Sequence, residues 1–266
     1  MDAVRIELGV KAVKKVYCTF SGAPYHRTTE IIVHDAPKFG ADQVLVYDDK
    51  WLEGHPFRQV NKWLWETPQK RLCGWCAWKP LVIMDALSRC ERGDVVLYTD
   101  ADCYPVSPMQ VLFNMTSGCG VTLFRCLHFH RRWCKRDCRI VMGQDETLPI
   151  DDDAWQGCAR FALFECGDWL AEQILMEWLT YSVNPLANTF SPSVLGGELP
   201  EFVEHRCEQA ILTNLAYKHG VPLMPEADSE LGIFLQENDR PDNDRHVTAP
   251  VEGSRWRNVP DHWSSR

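Results

Sequence analysis

The sequence has no apolar run approaching the roughly 18–20 residues that a membrane-spanning helix needs, so no such span is expected. Its first ten residues carry Asp2, Arg5 and Glu7 and lack the apolar core of a secretory signal. A basic excess is missing too: the formal net charge is -9, which argues against an extended nucleic-acid surface. Any phosphate group must therefore be met by a local cluster or by a metal ion. No internal repeat or low-complexity tract is present. Without leader or span, the expected location is the cytoplasm.

What is present is enough apolar material for a substantial core. The 266 residues are 45% apolar and 11% aromatic, which suits one large α/β domain or two small ones. In a reducing compartment the 12 cysteines are expected to be mostly free thiols, and Cys18, Cys158 and Cys166 stand in apolar runs where cysteine packs as a small hydrophobe. Two spacings allow another reading. Cys73 and Cys76 form a C-x-x-C, and Cys134 and Cys138 are close, so the four could hold zinc in a binding module. They flank aromatic and basic motifs rather than turn residues, which favours free thiols.

The chain order predicts alternating elements. Lys15 to Phe20 reads as a first strand, Tyr25 to His34 as a helix and Val44 to Tyr47 as a second strand. Phe57 to Glu66 has helical period, with Val60 and Leu64 four apart. Pro80 suits the first turn of a helix reaching Arg89, with Leu81, Met84 and Leu87 inward. Val95 to Thr99 follows as a buried strand. Met109 to Met115 suggests a helix, Val121 to Leu127 and Gln156 to Cys166 strands, and Trp169 to Tyr181 an amphipathic helix on Leu170, Ile174 and Trp178. Asn184 to Gly197 is a loop by composition. Glu204 to His219 is a helix stopped by Gly220. Such alternation predicts an α/β fold with a mostly parallel sheet flanked by helices. Residues 1–225 form the expected domain, and 226–266 an irregular C-terminal tail packed on it or partly disordered.

Candidate chemistry gathers at the strand end Tyr98-Thr99-Asp100-Ala101-Asp102. In extended chain, alternate side chains share a face, so Asp100 and Asp102 can address one small volume. Two hard oxygen ligands suit Mg²⁺ or Mn²⁺, which complete their shells with substrate phosphates. An acidic turn after a strand gives the same two letters. The position supports the metal reading, because open α/β sheets bind ligands at the carboxyl ends of their strands, and Thr19–Ser21 end the first strand in the same way. A dense basic segment runs from His128 to Arg139 and reads either as a solvated face or as a phosphate contact.

In order along the chain stand Thr19-Phe20-Ser21, G-W-x-x-W-K-P ending in Lys79-Pro80, the strand with TDAD, W-x-K-R-D ending in Lys135-Arg136-Asp137, a Gln-Gly strand, and E-H-R-x-E-Q with His205, Glu208 and Gln209. This series resembles the nucleotide-sugar-dependent glycosyltransferases of the GT-A fold. It is most similar to small bacterial and viral enzymes with W-K-P, D-x-D, K-R-D and E-H-R-x-D-Q motifs. The resemblance spans roughly Lys15 to Pro225, and it departs from the pattern at Glu208, where the family has Asp. It implies a UDP-sugar donor, a saccharide or other hydroxyl acceptor, and Mn²⁺ or Mg²⁺ on Asp100 and Asp102. It implies donor contacts from Thr19, Phe20, Ser21, Lys79, Tyr98, Thr99, Ala101, Lys135, Arg136 and Asp137, the last toward sugar hydroxyls. Glu208, Gln209 and His205 would serve the acceptor side, with Glu208 or His205 as base, and a tail histidine such as His246 would add a metal ligand, as in some GT-A enzymes. A phosphatase of the HAD type, with Asp100 as phosphorylated nucleophile, is the rival enzyme class. Tyr104 stands where that class has Thr or Val.

Overall fold

A computed structural model describes residues 12–22, 25–66, 72–143, 150–151 and 153–236. In chain order the elements are β1 (Lys15–Ser21), α1 (His26–Asp35), β2 (Gln43–Asp48), α2 (Asp49–Gly54), α3 (Pro56–Val60), α4 (Trp63–Glu66), a four-residue turn α5 (Leu72–Trp75), α6 (Lys79–Ser88), β3 (Val95–Asp100) and β4 (Cys103–Pro105). They continue with α7 (Gln110–Thr116), β5 (Val121–Phe129), a 3-10 turn (His130–Arg132), α8 (Arg136–Val141), β6 (Trp155–Glu165), α9 (Trp169–Ser182), α10 (Cys207–Lys218), β7 (Leu223–Met224) and β8 (Phe234–Gln236).

Six strands form one sheet in the order β2-β1-β3-β6-β5-β7, and β4 pairs with β8 in a second, small one. Strands β1, β2 and β3 are parallel; β6 runs against both β3 and β5, and β7 is parallel to β5. All but β6 therefore point the same way, and the expected mostly parallel α/β sheet is what the chain forms. Alternate residues feed two cores. Val96 and Tyr98 of β3 join α6, α9 and α10 on one face, while Val95 and Leu97 join α1 and α7 on the other. A central strand buried on both sides reads as a continuous apolar run, which is what made Val95 to Thr99 recognisable.

Some expectations need correction. Phe57 to Glu66 is not one helix but α3 and α4, broken at Asn61, whose side-chain amide donates to Phe57 O (2.9 Å). Val60 is consequently 80% exposed while Leu64 is buried, so the two do not share a face. In α6 the buried face is Lys79, Val82, Ile83 and Ala86, with Leu81, Met84 and Leu87 half-buried. Lys79 is drawn inward by carboxylates, and the i, i+3, i+4, i+7 row follows it. Helix α10 begins at Cys207 rather than Glu204, because Val203 N and Arg206 N are engaged by Arg132 O (2.8 Å) and Trp133 O (2.9 Å). The first residues beyond Pro225 lie in the fold: Ala227, Ile233 and Phe234 are buried, and β8 pairs with β4. Residues 237–266, with His246, lie outside the described residues. Among the described residues no helix is long and apolar enough to cross a membrane.

Candidate active site

Strand β3 ends at Asp100, beside Phe20 on β1. The next two residues form a turn, so Asp102 leaves the sheet instead of continuing the strand as its spacing suggested. Asp100 faces the α6 side, where the Tyr98 hydroxyl donates to its Oδ1 (2.9 Å). Asp102 Oδ2 accepts from Gln236 Nε2 (2.9 Å) on β8, and its Oδ1 accepts from the Cys103 thiol (3.3 Å). Burial, and then the charge of Asp100, raise the Asp102 carboxyl above its ordinary range. A buried carboxylate that feels a second one in this way makes a site that gains from a cation.

Lys79 supplies one positive charge there. Its ammonium lies 2.9 Å from Asp100 Oδ1 and 3.0 Å from Glu208 Oε1, and it donates to Ala159 O (3.3 Å). Only 5% of its side chain is exposed, against 27% for Asp100 and 8% for Glu208. Burial raises the Glu208 carboxyl and Lys79 opposes the shift. The chain reaches this triad through unusual backbone. Cys73, Gly74, Trp75 and Cys76 all have positive φ, between 44° and 74°, and so does Cys207 (44°), which precedes Glu208. A left-handed turn costs non-glycine residues about 1–2 kcal/mol each. Tertiary contacts hold it: Trp78 Nε1 donates to Cys73 O (2.9 Å), and a Cβ on Gly74 would stand 2.5 Å from Trp65 Cε2.

The end of β1 is braced from within. Thr19 is fully buried, and its hydroxyl donates to Thr99 O (2.9 Å). The Tyr17 hydroxyl, which shares a hydrogen bond with Thr99 Oγ1 (2.6 Å), donates to Cys103 O (3.2 Å). Ser21 Oγ accepts from Thr29 (2.7 Å), and Phe20 stacks on Trp78 at 3.9 Å. These contacts tie β1, β3 and the approach to Lys79 into one ledge. Ala101 is buried in the turn that follows.

Lys135, Arg136, Asp137 and His205 form a separate assembly around the 184–197 loop. Asp137 accepts from Val194 N (3.0 Å) and Leu195 N (2.8 Å), using both oxygens. Lys135 Nζ donates to Thr189 Oγ1 and Ser191 O, both at 3.3 Å, and Arg136 N donates to Glu198 (2.8 Å). His205 accepts from Lys135 N at Nδ1 (3.3 Å) and faces Ala187 O with Nε2 (2.7 Å). Burial holds its imidazole down to about 4, so at neutral pH it is an uncharged brace with both nitrogens engaged. Gln209, half-buried in the first turn of α10, donates to Cys126 Sγ (3.5 Å).

A network absent from the sequence reading supports Asp102. Arg160 on β6 donates to Gln236 Oε1 (2.7 Å), Asp228 (2.9 Å) and Glu226 (2.6 Å), so it clamps the 226–236 segment whose Gln236 reaches Asp102. The available signal was a lone arginine inside an otherwise apolar strand, since buried charges need partners.

The residues fit a hard divalent ion. Asp100 and Asp102 offer oxygen, and Asp102 is held by neutral donors only. The four-thiolate alternative does not assemble: all cysteines are free thiols, and Cys73, Cys76, Cys134 and Cys138 do not converge. Among the described residues the one group of three close metal-type ligands is Cys126, Cys158 and Glu226, and Arg160 already ion-pairs with Glu226 (2.6 Å).

No protein-family model and no curated protein matches the chain in sequence. Solved structures match it in shape. The bifunctional glycosyltransferase WbbM aligns with TM-score 0.47 and 9% identity, over 86% of this chain and 40% of its own, so the chain spans less than half of WbbM. Mouse xyloside xylosyltransferase 1 gives 0.44 and 9%, over 86% of this chain and 99% of its own. The galactosyltransferase LgtC, solved with donor and acceptor sugar analogues, gives 0.39 and 11%, over 75% of this chain and 70% of its own. These likenesses are distant.

Proposed function

We propose that the chain is a metal-dependent glycosyltransferase that moves a sugar from a nucleotide-diphosphate sugar, UDP-linked by preference, to a hydroxyl acceptor. The observation that carries this reading is Lys79 set between Asp100 and Glu208 at the carboxyl end of β3, with Asp102 near enough to feel the charge of Asp100. In transfer, the bond from the anomeric carbon to the diphosphate oxygen breaks and one to the acceptor oxygen forms. The acceptor proton passes to a base, and negative charge grows on the leaving diphosphate.

Asp100 and Asp102 would hold Mn²⁺ or Mg²⁺, which when bound supplies Lewis-acid stabilisation of that charge. Lys79 adds a fixed ammonium beside Asp100 and offsets the repulsion between the two aspartates. Glu208 holds Lys79 in place, and with Gln209 on the same helix turn it would serve the acceptor side. Phe20 and Ser21 border the nucleoside end. His205 is withdrawn as a base, because both ring nitrogens are engaged and its proton affinity is low. A cytoplasmic location is part of this reading, supported by the free state of all the cysteines.

The test is thermal unfolding with UDP, Mn²⁺, both, and both with excess chelator. A ligand that binds only the folded state raises apparent stability. Stabilisation by UDP only when the metal is available is the expected result. Equal stabilisation under chelation would remove the metal-bridged site.

A further inference from the structure

Away from Lys79 and the two aspartates, one cluster of side chains offers chemistry that the proposed reaction does not use. Cys126 on β5, Cys158 on β6 and Glu226 after β7 bring two Sγ atoms and a carboxylate oxygen within 4.8 Å of one another, and all three residues are buried. The strand registers produce this meeting. Phe124 stands opposite Cys158 on β6 and opposite Met224 on β7. Cys126, two residues past Phe124, packs in the same core as Phe124 and Cys158. Glu226, two residues past Met224, comes level with Cys126.

The surrounding groups hold these three side chains as the partners of metal ligands do. Gln209 Nε2 donates to Cys126 Sγ (3.5 Å). Arg160 Nη2 donates to Glu226 Oε1 (2.6 Å), and Ser229 Oγ donates to Oε2 (2.5 Å). Each carboxylate oxygen has two lone pairs, so each keeps one for a metal. The adjacent Arg160 cation also favours loss of the thiol protons, which metal binding requires. Charge nearly balances when the site is filled. Two thiolates, Glu226 and Asp228 supply four negative charges, and Arg160 with a divalent ion supplies three positive ones. Tetrahedral sulfur ligands at about 2.3 Å from a metal lie about 3.8 Å apart, so a spread of up to 4.8 Å closes by small side-chain rotations.

We infer that Cys126, Cys158 and Glu226 bind a thiophilic divalent ion, Zn²⁺ or its analogue Co²⁺, with water as the fourth ligand. Two sulfurs select a soft or borderline ion, whereas Asp100 and Asp102 offer only oxygen to a hard one. The inference goes beyond the glycosyltransferase reading and does not depend on it. The ion would join β5, β6 and the 226–236 segment, whose Gln236 reaches Asp102.

The test is titration of the full, reduced chain with Co²⁺ in excess Mg²⁺, which occupies oxygen sites. Bound thiolates give a sulfur-to-cobalt charge-transfer band. The band should saturate at one Co²⁺ per chain and vanish when an equivalent of Zn²⁺ is added. Cys126→Ala and Cys158→Ala should each abolish it. Ser229→Ala should weaken Co²⁺ binding about tenfold, because Glu226 loses a partner that orients it. Ser229 is exposed, so this variant reports on the site even where a cysteine variant fails to fold. Zn²⁺ should also raise the parent's unfolding midpoint by roughly 5 °C. The inference is overturned if no band appears, or if Ser229→Ala binds Co²⁺ as tightly as the parent. It is also overturned if the band survives in both folded cysteine variants, which would place the metal on other thiols such as Cys134 and Cys138.

Discussion

Replacing Lys79 by methionine removes one charge from a buried triad and leaves two carboxylates facing each other. At about 3 Å, with an effective dielectric near 20, each carboxylate attracts the ammonium by roughly 5 kcal/mol before desolvation is counted. The two do not suffer equally. Asp100, at 27% exposure, can regain water, whereas Glu208, at 8%, cannot. Losing one partner of a buried ion pair costs about 3–5 kcal/mol, and the lower end applies here because Asp100 rehydrates. For a chain of this size that is a fall of roughly 10 °C in unfolding midpoint. The loss should depend on pH with a definite sign. Burial already holds the folded-state Glu208 carboxyl above its ordinary range, and removing Lys79 takes away what opposes that shift. A carboxyl raised in the folded state contributes stability that is present below its unfolded value and lost as pH rises through its folded one. The variant's deficit should therefore be large at pH 7 and shrink toward pH 4.5. Glu208→Gln in the same chain should recover part of it, because no buried charge then lacks a partner. The assay is urea unfolding of the parent, both single variants and the double variant at pH 7 and pH 5. Wild-type stability of Lys79→Met at pH 7, or a deficit that neither acid nor the second substitution relieves, would refute the triad as an energetic unit.

Asp102→Asn should fold normally yet lose metal-dependent UDP binding by at least about tenfold, since a neutral oxygen is a poor ligand for a hard dication, whereas Glu208→Gln should keep UDP binding and lose turnover; UDP titration and a transfer assay on both variants check the contrast. Gly74→Ala should cost about 3 kcal/mol in chemical denaturation, combining the left-handed backbone with a Cβ 2.5 Å from Trp65, and wild-type stability would show that the turn relaxes freely. Asp137→Ala should speed hydrogen exchange at Val194 and Leu195, whose amides it holds, and unchanged protection there would mean the loop is held by other contacts. The low proton affinity of His205 contributes stability that is present above pH 6.5 and lost as pH falls toward 4, about 3 kcal/mol in all. His205→Gln, which can keep both hydrogen bonds, should flatten that part of the stability–pH curve, and an unchanged acid slope would contradict the assignment.

The chemistry-bearing letters were readable where local pattern carries them. An apolar, β-branched run ending in Asp-x-Asp declares a buried strand and its end, and Pro80 declares the start of a helix. The roles of the same letters were less readable. Lys135 and Asp137 look like substrate contacts in a line of text, but in the fold their side chains organise the 184–197 loop. His205 looks like a base and is a neutral brace. In each case the decisive quantity is how many hydrogen bonds the group has already made, and that depends on residues 18 to 70 positions away.

The sequence by itself determined the alternating elements, the parallel core of the sheet and the location of an acidic strand end, because these follow from side-chain period, turn residues and a strand's fixed geometry. Only the tertiary structure decided that Lys79 lies between Asp100 and Glu208, that Arg160 and Gln236 hold Asp102, and that Cys126, Cys158 and Glu226 come together. Those arrangements join residues up to 134 positions apart, as for Asp102 and Gln236. Local preference reaches only a few residues, whereas a buried charge must find its partner wherever the chain brings one.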